Sequence, residues 1–153
     1  MPTTGEALAD QFDRCWEMLR SSARRISPDR WRKDDNAKLN PARWALHAVE
    51  AAEWYERDDP DGFPWGKRFG DWERGSADQL PTQDELIAYI DEVAATLGAH
   101  LRASTDEDLA AASPYPWTGE TNIGRWVYTL RHTTFHAGEV DMNLRMELGP
   151  DEE

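Results

Sequence analysis

Two histidines, His132 and His136, stand four residues apart in the stretch LRHTTFHAGEVDMNLR. On a helix that spacing places both imidazoles on one face, about a turn apart, where they can chelate one ion. If both rings point inward they need partners, because an unpaired buried imidazole forfeits about 1–3 kcal/mol of hydrogen bonding. A shared metal would satisfy one nitrogen of each. His47, in WALHAVEAAEWY, is the candidate third ligand. Three neutral imidazoles leave coordination positions free for water or substrate, the arrangement of a catalytic rather than a closed structural site. Imidazole suits Zn, Ni, Fe and Cu alike, so the ligand type leaves the divalent metal unidentified.

The elements that must position these rings read as helices. Leu8, Phe12, Cys15, Trp16, Leu19, Ala23 and Ile26 step by three and four residues and predict a first helix from about Thr4 to Ile26. Asn40 as N-cap and Pro41 behind it start a second helix, which runs to about Arg57 and carries Trp44, Ala48, Ala51, Ala52 and Tyr55 on its apolar face. His47 lies at the edge of that face. Thr82 and Glu85 form a capping box for a third helix marked by Leu86, Ile90, Val93, Leu97 and Leu101. The last helix spans roughly Asn122 to Leu148, with Gly149 as its C-terminal cap. The expected fold is all-α, an antiparallel four-helix bundle. The Pro- and Gly-rich connection from Asp58 to Pro81 is too long for a tight hairpin, so it is expected to make a long crossover between helices two and three.

Placing the last helix at about 100° per residue puts Arg131, Thr134, Gly138, Asp141 and Arg145 on its exposed side. The opposite arc, flanked by Phe135 and Met142, holds both histidines with Tyr128, Glu139 and Asn143. Glu139, on this arc, and Glu50, one turn after His47 on the second helix, are candidates to orient a ligand or move a proton. Tyr128 and Arg125, one and two turns before His132, are candidates to contact a bound cofactor or anion. The same residues admit a plainer reading, in which the histidines are core groups satisfied by Glu50, Glu139 or Tyr128 and Glu50 pairs with Arg43. His100 falls at the end of helix three, where the helix dipole or solvent accounts for it, and Cys15 reads as a small core residue. Asp34, Asp35 and the run Asp58 to Asp61 resemble turn and cap chemistry rather than a calcium loop.

Composition narrows the partners. The 153 residues carry 17 Lys+Arg against 30 Asp+Glu, a formal charge of −13, with no basic stripe to offer a phosphate backbone or an anionic lipid. No nucleic acid and no membrane are expected as partners. The start of the chain has neither the basic nor the apolar region of a signal peptide, and one cysteine excludes an internal disulfide, so a cytoplasmic, single-domain protein over residues 1–153 is expected. A homodimer is compatible with a bundle of this size, though no interface can be read. Eight Trp is a high number, and Trp65, Trp72 and Trp117 fall in Pro/Gly-rich connections, where rings fold over a pocket or an end of the core.

Together WALHAVEAAEWY, with His47, and HTTFHAGEVDMNLR, with His132 and His136, resemble the DinB/YfiT-like superfamily of metal-dependent four-helix bundles. The resemblance implies one ligand histidine on the second helix and an H-x-x-x-H pair on the last, in the same helix order along the whole chain. It also implies a range of activities. Some relatives are S-transferases that use a low-molecular-weight thiol such as bacillithiol or mycothiol, and some are maleylpyruvate isomerases. In a transferase the metal would lower the pKa of the thiol cosubstrate; in a hydrolase the same site would activate water toward a small-molecule substrate. The rival reading is a non-catalytic bundle that binds metal or a small ligand, and fold-level likeness does not choose between them.

Overall fold

Capping chemistry sets where the helices begin. In the computed structural model, which describes residues 1–149, Thr3 and Glu6 exchange side-chain and backbone hydrogen bonds at the start of α1 (Thr4–Arg25). Thr82 and Glu85 do the same for α4 (Gln83–Ala103), and the Asn40 side chain accepts from the Arg43 N–H at the start of α3 (Pro41–Glu56). The last helix, α6 (Asn122–Leu148), stops at Gly149, whose φ of 86° favours a residue without Cβ. Two short helices, α2 (Pro28–Trp31) and α5 (Asp106–Ala110), occupy the connections. Among the described residues the extended pairing consists of one bridge, Ala112 with Thr121, so the fold is all-α.

Four long helices enclose one core. α1 packs on α4 and α6, while α3 packs on α6 and α4, so α1 and α3 face each other diagonally. The contacts across each groove give the helix directions. Arg20 pairs with Asp91 and Arg102 with Asp13, which makes α1 and α4 antiparallel. Phe12 meets Trp126, Cys15 meets Thr134 and Ser22 meets Asp141, which makes α1 and α6 parallel. His47 meets His132 and His136 while Tyr55 meets Tyr128, so α3 and α6 are antiparallel. α3 and α4 are then parallel. The expectation of an antiparallel bundle is corrected to two antiparallel and two parallel neighbouring pairs. The reason is the long connection: it brings the chain back along the bundle before α4 begins, so α4 repeats the direction of α3.

Phe12, Trp16 and Leu19 of α1, Leu86, Ile90 and Leu97 of α4, and Trp126, Val140 and Leu144 of α6 fill the core. α3 contributes mostly alanines, Ala45, Ala48 and Ala52, which leave room for its neighbours to approach closely. On α6 the placement of Phe135 and Met142 beside the inward arc is also corrected, since they are 65% and 56% exposed. α6 buries one side against α1 and the other against α3, and both residues belong to the outer strip left between them, with Val127 and Met146. Among the described residues no helix is long and apolar enough to cross a membrane.

The α1–α4 contact closes tightly at one end. A Cβ on Gly5 would lie 2.1 Å from the Leu101 carbonyl oxygen, a backbone atom that cannot move aside cheaply. Gly5→Ala should therefore lower stability by about 1–3 kcal/mol in urea unfolding, the usual cost of overpacking. An unchanged midpoint would show that this end of the bundle is looser than described.

Candidate metal centre

α3 and α6 lie antiparallel, and their facing surfaces bring His47 to the His132–His136 pair. The ring centroids of His47 are 4.9 Å from His132 and 4.7 Å from His136, and one ligand atom from each of the three lies within 4.8 Å of the others. The Nε2 atoms of His132 and His136 face each other at 3.2 Å. Two imidazole nitrogens at that distance must share either a proton or a cation. His136 Nδ1 is held by Glu139 Oε2 at 2.6 Å, leaving its Nε2 for the cluster. The Nδ1 atoms of His47 and His132 are buried and have no hydrogen-bond partner. The donor set thus fits a divalent ion: three neutral nitrogens converge, and one of the rings is oriented by a carboxylate behind it.

Electrostatics favours the neutral, ligating form. Burial, and then the neighbouring His136 and His132, pull the His47 pKa down to about 3. Burial, His136 and Arg131 pull His132 down to about 4. Both rings are deprotonated through the neutral range, as metal binding requires.

Tryptophans wall the cluster. Trp44 stacks on His136 with centroids 5.1 Å apart, and Trp72, from the long connection, stacks on His47 at 4.0 Å. Trp72 is held there by its backbone: its carbonyl accepts from Arg43 Nη1 at 3.0 Å, while the buried Arg43 guanidinium also donates to Gly75 O and to both carboxylate oxygens of Asp34. Asp34 is thus more than a turn residue. That hydrogen-bonded guanidinium holds the Asp34 carboxyl below its usual range. Sequence reasoning found neither the Arg43–Asp34 pair nor its hold on Trp72; the only signal was the concentration of Trp in Pro- and Gly-rich chain.

The other candidates separate. Glu139 stands at the cluster, and Tyr128 lies behind it, its ring nearly parallel to His132 at 6.3 Å. Glu50 is buried, pairs with the Gly66 N–H at 2.7 Å rather than with Arg43, and burial raises its pKa. Arg125 is not brought to the histidines. Its guanidinium donates to the carbonyls of Tyr55 and Arg57 and to Asp58, closing the C-terminal end of α3, with its face over Trp126. His100 pairs with Glu56 at 3.1 Å instead of standing free at its helix end, and Cys15 is buried, its thiol pKa raised by that burial. Trp65 and Trp117 pack on Trp54, away from the histidines.

An all-helical bundle whose antiparallel helices converge three histidines belongs to the class of proteins that can hold a metal between helices. The profile of the DinB superfamily matches residues 11–140, a span that includes all three histidines, and the chain belongs to that superfamily. No curated protein and no solved structure matches the chain.

Two outcomes check the geometry. Glu139→Gln should weaken binding of a divalent ion about 10- to 100-fold in competition with a chromogenic chelator, the usual effect of removing the carboxylate behind a ligating histidine. The metal-free protein should lose stability as pH falls from about 6.5 toward 5. In that window the unfolded chain protonates histidines near pKa 6.5 while native His47 and His132 stay neutral, so the unfolded state binds more protons. Urea midpoints measured with chelator at pH 7 and pH 5 would be equal if the rings were not held neutral.

Proposed function

We propose that the protein is a metal-dependent enzyme that uses His47, His132 and His136 to hold a divalent Zn, Ni or Fe ion and acts on a small molecule, by thiol-dependent S-transfer or by hydrolysis. The observation that carries this reading is the convergence of one ligand atom from each of three histidines, one of them oriented by a carboxylate behind it. Three protein ligands leave positions for an exogenous group. A divalent ion so held would lower the pKa of a coordinated thiol or water and so supply a nucleophile near neutral pH.

The chain's own residues have defined tasks in this reading. Glu139 fixes the tautomer and orientation of His136 through Nδ1. Trp44 and Trp72 exclude water from two sides of the cluster and offer flat apolar surface to a substrate. Tyr128, whose ring lies nearly parallel to His132, would contact a bound cosubstrate in this reading. Glu50, with its raised pKa, is a candidate proton carrier on the far side of Trp72; the two residues line one small cavity. Arg125, engaged by the end of α3, supports the groove rather than a ligand. The stacking of Trp44 and Trp72 directly on the imidazoles also supports a second reading, a bundle that binds metal or a small ligand without turnover.

Elemental analysis of untagged protein purified without chelator, beside His47→Ala and His136→Ala, tests the centre. Near-stoichiometric metal in the wild type and its loss in both variants is expected. The loaded protein should then consume a low-molecular-weight thiol in the presence of an electrophile, or cleave an activated ester, with activity falling to background in both variants. Protein that binds no Zn, Ni or Fe would overturn the proposal; stoichiometric metal without any turnover would favour the binding reading.

A further inference from the structure

A second cavity lies on the other side of α3. It occupies the groove between the parallel helices α3 and α4, is roofed by the first half of the long connection, and has a volume of about 530 Å³. That volume falls in the range of small-molecule sites. None of the three histidines lines it.

Its walls carry four carboxylates, from Glu50, Glu53, Glu56 and Glu92, and three basic groups, from Arg57, Lys67 and Arg68. Most of this charge is spent within the protein. Arg68 pairs with Glu92 at 2.6 Å and with Glu53 at 3.3 Å, the Tyr89 hydroxyl donates to Glu53, and Glu56 takes His100. Arg57 donates to the Asp59 carbonyl and lies over the Phe63 ring. Two groups remain. Glu50 is 4% exposed and uses one carboxylate oxygen on the Gly66 N–H, leaving the other without a partner. Lys67, on the roof, has neither a side-chain hydrogen bond nor an ion pair among the described residues. The apolar part of the lining comes from Phe63, Pro64 and Val93.

These leftovers select a ligand chemistry. A simple anion would meet four carboxylates. A metal ion would need converging ligand atoms, and among the described residues the three-histidine cluster is the group with that geometry. A purely apolar molecule would cover the remaining Glu50 oxygen and leave it desolvated and unpaired, which costs free energy. A molecule with an ammonium for Glu50, a carboxylate for Lys67 and an apolar body for Phe63 and Val93 satisfies all three.

We infer that the α3–α4 groove is a second binding site, separate from the histidine cluster, for a small zwitterion with an apolar side group, the chemistry of an aromatic or branched α-amino acid. The inference does not depend on the metal centre.

Calorimetric titration of the full-length protein with phenylalanine, phenethylamine and 3-phenylpropionate tests it. Phenylalanine should bind with Kd below about 1 mM, and each single-charge analogue at least about 10-fold more weakly, for the loss of one charge-assisted pairing. Thr96→Trp, which fills the cavity from an exposed position on α4, should abolish binding. Lys67→Ala should bring phenylalanine down to the level of phenethylamine. His132→Ala should leave phenylalanine affinity unchanged. Three results would overturn the inference: no saturable binding of phenylalanine, tryptophan or leucine up to about 10 mM by protein with a native circular dichroism spectrum; binding indifferent to Thr96→Trp; or binding lost with His132→Ala, which would place the ligand at the metal cluster.

Discussion

α3 and α4 run in the same direction, so the chain leaving α3 has to travel back along the bundle before α4 can begin. That return lays residues 58–81 against α3, and most of what is distinctive about this bundle follows from it. Besides the Glu53–Arg68 pair, two charged groups of α3 hold the backbone of the connection. Glu50 accepts from the Gly66 N–H, and Arg43 donates to the carbonyls of Trp72 and Gly75. The first tie roofs the α3–α4 groove; the second sets Trp72 on His47. A connection rich in Gly and Pro has little regular structure of its own to hold it, so these backbone-directed bonds replace a hydrogen-bonded ladder.

Buried charge in this protein is spent mainly on backbone. Arg125 closes the carbonyl end of α3, Arg43 secures the connection, and Glu50 meets an amide of the same segment. A buried guanidinium bonded to several carbonyls satisfies donors and acceptors at once, and removing it would strand both. Against that background the histidine cluster stands out chemically. The Nε2 atoms of His132 and His136 meet at 3.2 Å with His47 beside them, and the lone pairs they turn toward each other are what a bound cation would take up.

The two grooves flanking α3 have been given opposite chemistry by residues on one helix. His47 faces α6, while Glu53 and Glu56 face α4, with Glu50 between them under the connection. The α6 side is lined by three imidazoles and the rings of Trp44 and Trp72, with the Glu139 carboxylate behind His136. The α4 side is polar and nearly charge-balanced. One short helix thereby separates two environments that would interfere if they shared a cavity.

Local chemistry made much of this legible from the residues alone. The capping pairs Thr82–Glu85 and Asn40–Pro41, the apolar steps of α1 and α4, and the four-residue spacing of His132 and His136 act over a few residues, so order along the chain is sufficient to read them. Helix direction, the fate of Arg125, the partner of Glu50 and the exposure of Phe135 and Met142 were decided only in three dimensions. Arg125 and Tyr55 are bonded across 70 positions of chain, and Glu50 and Gly66 across 16, so no periodicity within a helix can register them. Short-range order along the chain was enough to set which helices form and which nitrogens can meet on α6. Tertiary packing decided which grooves those helices share, because a helix carries several faces and only its neighbours determine which of them are buried.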